Sequence, residues 1–221
     1  ADLGVTKEEV VDAIISIKES ADLPRLAFEV YDDFVTPTAE SLDCLVHLVI
    51  AGDQLAADAA GMSAVRQWLM EGGRLWIMLD QVDPATVELL LGDAFDCQVV
   101  DRVGLTSVTT DPVDPGLDGG ETAAAEFEEP VELVRVITTD ENVLYAVNGW
   151  PAAFYRRVGN GYVMFTTLGP RGWLRTRTPK DPHPVDVSYP TTYIATDALK
   201  GLGGHFFEQS QTSILSQEQF S

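Results

Sequence analysis

Residues 44–51 read Cys-Leu-Val-His-Leu-Val-Ile-Ala, apolar throughout except for His47. The run is far too short to cross a bilayer, which takes about 20 residues. It shows no in-and-out alternation, so it reads as a central strand of a sheet covered on both faces. Gly52-Asp53-Gln54 closes it. Downstream, Ala56–Glu71 sets Met62, Val65, Trp68 and Leu69 on one helical stripe, and Gly72-Gly73 stops that helix. Arg74–Leu79 (RLWIML) is a second buried-strand run. Asp83-Pro84 then supplies an N-cap followed by proline at the first helical position, with Val87, Leu90 and Leu91 on the helix and Gly92 ending it. Cys97–Val103 returns as a strand.

Upstream, Thr6 and Glu9 have capping-box spacing before Val10, Ile14 and Ile17, which predicts a first helix. Arg25–Tyr31 alternates like a strand. Strands alternating with helices predict an α/β protein with a mostly parallel sheet. Beyond residue 103 the pattern changes. Asp111–Pro130, rich in Asp, Glu, Gly, Pro and Ala, is expected to be a long surface loop. Short β runs follow at Val131–Thr138, Val143–Val147, Ala152–Val158 and Tyr162–Leu168, the last two joined by Gly159-Asn160-Gly161 as a distal β-hairpin. Residues 170–190 read as loop, Ala195–Phe206 as a closing helix and 210–221 as a polar tail, leaving 1–209 as one domain.

The chain has 221 residues and a formal net charge of −21. Hydrophobic residues make up 45%, which excludes a disordered acidic tail. The shortage of bases excludes a sequence-independent nucleic-acid binder. The charge is uneven: residues 1–134 hold 28 acids and 6 bases, residues 135–221 hold 7 acids and 8 bases. Arg171, Trp173, Arg175 and Arg177 form a basic corner with an aromatic at its centre. It reads either as a contact for an anionic partner or as the internal counterpart of the acidic half.

The order of segments resembles class I glutamine-amidotransferase-like domains, in the diverged form found in large membrane-anchored bacterial proteins. The residues that carry the resemblance are Asp43–Asp53, Trp68–Gly73, Arg74–Asp80, Gly149-Trp150-Pro151, Arg156-Arg157, Gly159-Asn160-Gly161 and Tyr162–Leu168. It spans roughly residues 25–208 and implies a flavodoxin-like three-layer α/β/α sandwich. It also implies a nucleophilic Cys on a strand-to-helix elbow after Arg74–Leu79, with a His and a Glu near the C-terminal end. Asp80-Gln81 stand at the elbow instead. Cys44 and Cys97 begin strand-like runs, as buried thiols or a single disulfide, and His205 with Glu208 has helical spacing. No catalytic residue is therefore assigned. His47 is read as a satisfied core or face histidine, and His183 lies between two prolines.

No phosphate loop, no Gly-x-Ser-x-Gly elbow and no paired His or Cys metal motif occurs. No cofactor is implied. The carboxylates of Asp111–Gly119 read as a solvated loop in preference to a calcium site. Asp53 and Asp80 follow successive strands, beside Gln54 and Gln81. In an α/β sheet this edge binds ligands, so the four residues form a candidate site for a small polar or cationic group. The competing reading has each Asp cap the helix that follows. The expected function is a non-catalytic binding or assembly module, the extracytoplasmic domain of a larger membrane-anchored protein, with a protein partner or the rest of that chain as its contact. The alternatives are a hydrolase-type enzyme or a small-ligand sensor using Asp53 and Asp80.

Overall fold

The computed structural model describes residues 7–20, 42–43, 45–117, 121–139, 142–181 and 192–208. The expected strand Arg25–Tyr31, the cap Thr6, Cys44, His183 and the tail lie outside these residues.

Helix α1 (Lys7–Ser20) carries Glu8 and Glu9 in its first turn and Lys18 in its last, as the helix dipole favours. Strand β1 (His47–Ile50) leads through a 3₁₀ turn (Gln54–Ala57) to α2 (Ala59–Glu71). Asp58 caps α2 by accepting from the N–H groups of Ala60 and Gly61, and Gly72 ends it at φ 127°. Strand β2 (Arg74–Met78) and α3 (Pro84–Leu91) follow, the latter capped by Asp83 accepting from Ala85 N–H. Then come β3 (Cys97–Pro112), β4 (Ala123–Thr138), β5 (Val143–Val147), β6 (Trp150–Val158) and β7 (Gly161–Thr166). A small two-stranded sheet, β8 (Leu174–Thr176) with β9 (Tyr193–Ala195), precedes α4 (Asp197–Gly203), which continues as a π turn over Gly204–Glu208.

The main sheet runs β1-β2-β7-β6-β5-β3-β4. Only β1, β2 and β7 are mutually parallel; every other pairing is antiparallel. The sheet is thus mixed, and the expectation of a mostly parallel one is corrected. β1 is also not central: it forms one end of the described sheet and is only half-buried. β2 and β7 are the central strands, and their side chains alternate between two cores. Trp76, Met78, Tyr162 and Met164 pack with Ile17, Leu199, Leu202 and Phe206 on the α1/α4 face. Leu75, Ile77, Leu79, Val163 and Phe165 pack with Trp68, Leu69, Val87 and Leu90 on the α2/α3 face. Helices therefore cover both faces of the sheet. The end of α2 lies so close to β7 that a Cβ at Gly161 would stand 2.0 Å from Leu69 O.

The expected loop Asp111–Pro130 is strand at both ends, over 111–112 and 123–130. β3 extends to Pro112 and pairs with both β4 and β5, so tertiary pairing overrides the turn signals of Asp111-Pro112. Cys97 opens β3 and is half-buried against the α2/α3 core. Near residue 170, the expected loop begins as a 3₁₀ turn (Pro170–Trp173) and β8. The far strand of the hairpin then returns to the sheet's centre. Val134 N–H donates to Thr167 O at 2.8 Å, Gly169 N–H donates to Glu132 O at 2.8 Å, and Leu133 bridges Leu168. On its other side Thr167 N–H donates to Ala152 O of β6. Strands β7, β6, β5, β3 and β4 thereby close into a ring.

Candidate functional site

β2 and β4 share β7 as a neighbour, one after the other. β2 stays paired up to the bond from Leu79 N–H to Thr166 O, and from Thr167 onward β4 takes its place. Asp80 sits in the fork where the two diverge. The turn that carries it is closed by Gln81 and Val82 N–H groups donating to Met78 O at 2.9 and 3.1 Å. From β3, Arg102 reaches across and donates to the carbonyls of Leu79 (3.0 Å), Asp80 (2.8 Å) and Val82 (3.4 Å), and to Glu132 Oε1 at 2.5 Å. One planar guanidinium thus ties the turn after β2 to β4.

Asp80 is only 6% exposed. Its Oδ2 accepts from Gln81 Nε2 at 2.5 Å, while Oδ1 is buried with no hydrogen-bond partner. Burial, which disfavours the charged form, pushes the carboxyl up to about 7. The Gln81 bond, the backbone N–H of Asp80 itself and the Arg102 charge pull the other way, and Glu132 adds to the rise.

Asp53 is employed differently. Its Oδ1 accepts from Asp83 N–H and from the Thr86 hydroxyl, both at 2.8 Å, so it braces the entry to α3. Gln54 is exposed on the 3₁₀ turn. The four expected residues share one end of the sheet. Only Asp80 and Gln81 are hydrogen-bonded to one another; Asp53 makes no side-chain cap on the helical turn that follows it and holds the start of α3 instead. The residues that sequence reasoning missed are Arg102 and Glu132. Arg102 is one of just 6 bases in residues 1–134, and that rarity is the one signal that marked it.

The basic corner does not stand open. Trp173 is 2% exposed, donates to Leu168 O at 3.0 Å and packs edge-on against Tyr145. A surface anchor at Trp173 is therefore corrected to a core residue. Arg171 pairs with Glu129, Arg175 holds Asp181 through two bonds, and Arg177 pairs with Glu19. Arg171 and Arg177 thus pair with the acidic half of the chain, while Arg175 pairs within the distal half.

A second polar group lies at the opposite end of β2. Arg74 stands over the Tyr162 ring at 4.4 Å and donates to the carbonyls of His205 and Phe206. His47 packs on Phe206 and Phe207. Burial and the Arg74 charge push His47 down to about 4, and lower His205 as well. Both histidines are thus neutral in the folded protein near pH 7.

No family model matches the chain, and no curated protein matches it in sequence. Among solved structures it is similar to cytoplasmic protein STM1381 from Salmonella typhimurium LT2, with TM-score 0.57 and 14% identity over 89% of this chain and 86% of that one. It is also similar to a ThuA-like protein from Bacteroides uniformis ATCC 8492, with TM-score 0.49 and 12% identity over 76% of this chain and 79% of that one. A β-galactosidase from Bacillus circulans sp. alkalophilus gives TM-score 0.47 and 10% identity over 76% of this chain and 22% of that one. The first likeness shows a shared fold and nothing of activity. No helix among the described residues is long and apolar enough to cross a membrane.

Proposed function

We propose that the chain is a non-catalytic binding or assembly module on a flavodoxin-like, amidotransferase-like scaffold, one part of a larger membrane-anchored protein. One observation carries the reading. The turn after β2, where the resemblance implies a reactive thiol on a strained elbow, holds a buried carboxyl and is tied down by Arg102 through three carbonyls. A nucleophile needs access and a neighbouring base. The Asp80 carboxyl is enclosed, and the side chain that bonds to it is the Gln81 carboxamide. The test is a panel of glutamine, ester, amide, phosphate and glycoside substrates offered to the purified chain and to Asp80→Asn. Equal background rates support the module. Transmembrane segments flanking this stretch in the full gene support the membrane-anchored placement, and a full gene without them removes it.

A second reading has its own support. A carboxyl held near pH 7 is matched to general acid or base work, and its Oδ1 has no hydrogen-bond partner within the described residues. Turnover that vanishes in Asp80→Asn replaces the module with a hydrolase-type enzyme.

A further inference from the structure

Among the described residues Asp80 is the one charged side chain that is nine-tenths buried, and half of its carboxyl has no partner. A buried acceptor left unmade costs about 1–3 kcal/mol, so folded proteins keep few of them. Its place in the fold is specific. Asp80 lies beyond the carboxyl end of β2, in the crevice between two diverging neighbours of β7, the kind of position where α/β sheets take up ligands.

We propose that the fork between β2 and β4 is a recognition site for a small ligand bearing a protonated amine, whose ammonium group donates to Asp80 Oδ1. The inference rests on the binding-module reading and names its ligand class. Charge selects the class. The fork holds two carboxyl groups, Asp80 and Glu132, against a single cation. That cation, Arg102, is already committed to Glu132 and three carbonyls. An anionic ligand meets net repulsion there, and a neutral donor leaves an ionised Asp80 without a countercharge. A compact ammonium supplies up to three donors and the missing charge together. Across the fork stands Gly169, whose added Cβ would be in van der Waals contact with Glu132 O, Val131 and Asp80 Oδ2. On the solvent side the wall is the Arg102–Glu132 pair, with side chains 38% and 15% exposed. The net charge of −21 draws cations toward the chain.

The experiment is calorimetric titration of the whole chain with butylammonium, with butanol and butyrate as neutral and anionic counterparts, at about 0.15 M salt to suppress diffuse attraction. Wild type, Asp80→Asn and Asp53→Asn are compared, the last removing a carboxylate from the same sheet edge. Saturable one-site binding of butylammonium alone is expected, unchanged in Asp53→Asn and weakened at least tenfold in Asp80→Asn. The groups that face Asp80 are Gln81, Arg102, Glu132 and the Gly169 backbone. The Asp80 carboxyl is held up at about 7, so binding strengthens as pH rises through that value. The amide variant keeps the shape of the carboxyl, and its thermal melt confirms folding. No saturable binding to wild type, or equal binding to Asp80→Asn, overturns the proposal. If that happens while the substrate panel stays flat, the module reading stands without this ligand. Turnover lost in Asp80→Asn removes both.

Discussion

The Thr86 hydroxyl donates to Asp53 Oδ1 at 2.8 Å, so a residue just past β1 holds the first turn of α3. The same oxygen accepts from Asp83 N–H, one of the donors a helix start leaves without an intrahelical partner. Asp53 is thereby a structural residue on the edge where ligands are expected. Asp53→Ala is predicted to lower stability by about 1–2 kcal/mol, the usual cost of a lost cap. Thermal melting measures it, and amine binding at Asp80 stays as in wild type.

Asp80 links stability to pH with a definite sign. Its folded value, about 7, lies above its ordinary 3.8. Between those values the folded chain holds a proton that the unfolded chain has lost, so stability falls as pH rises from about 4 to about 7 and then levels off. The full span is on the order of 4 kcal/mol, at 1.36 kcal/mol for each unit. Asp80→Asn is predicted to remove this slope. Urea unfolding of wild type and variant at a series of pH values gives the difference directly.

His47 works in the opposite direction. Its folded value is lowered to about 4 from 6.5, so the unfolded chain binds the extra proton and stability rises with pH across that interval. His47→Phe keeps a ring against Phe206 and Phe207 and is predicted to flatten the acid limb. The variant then unfolds at a lower pH than wild type in an acid titration followed by near-ultraviolet circular dichroism.

Arg102 joins two segments of the sheet through one planar group. Arg102→Met leaves the carbonyls of Leu79, Asp80 and Val82 without this donor and is predicted to cost about 1–3 kcal/mol. The exposed part of the Glu132 pair adds little to that. Arg102→Lys restores the charge but not the fork of donors, and is expected to recover only part of the loss in denaturant midpoints.

How far the sequence could be read depended on whether the governing interaction was local. The Asp83-Pro84 start and the Gly92 end of α3, the Gly72 stop of α2 and the Gly159-Asn160 hairpin turn were all legible, because caps and turns are set by neighbouring residues. The Ala-Ala-Ala-Glu-Phe-Glu-Glu-Pro run at 123–130 was not. Little in it favours a strand; its residues 123–126 pair with β3 residues 107–110, and 127–130 fall in the register shift before Val131. Trp173 was misplaced for the same reason. Its arginine neighbours are hydrophilic, but the 3₁₀ turn rotates the indole into the core while the arginines find acids elsewhere in the chain. Of the site, Asp80 and Gln81 could be placed from strand order. Arg102 and Glu132 reach it through a closure that no spacing rule encodes.

That closure also sets an order of events. Asp80 emerges during synthesis well before Glu132 and Gly169, the residues that wall it in, and until they arrive its carboxyl stands in water and is ionised at neutral pH. The ring is complete only when residues 132–134 meet 167–169. Long-range pairing of this kind comes late in folding. Closure therefore shifts the Asp80 carboxyl toward its protonated form, and the equilibrium of that final step depends on the acidity of the medium.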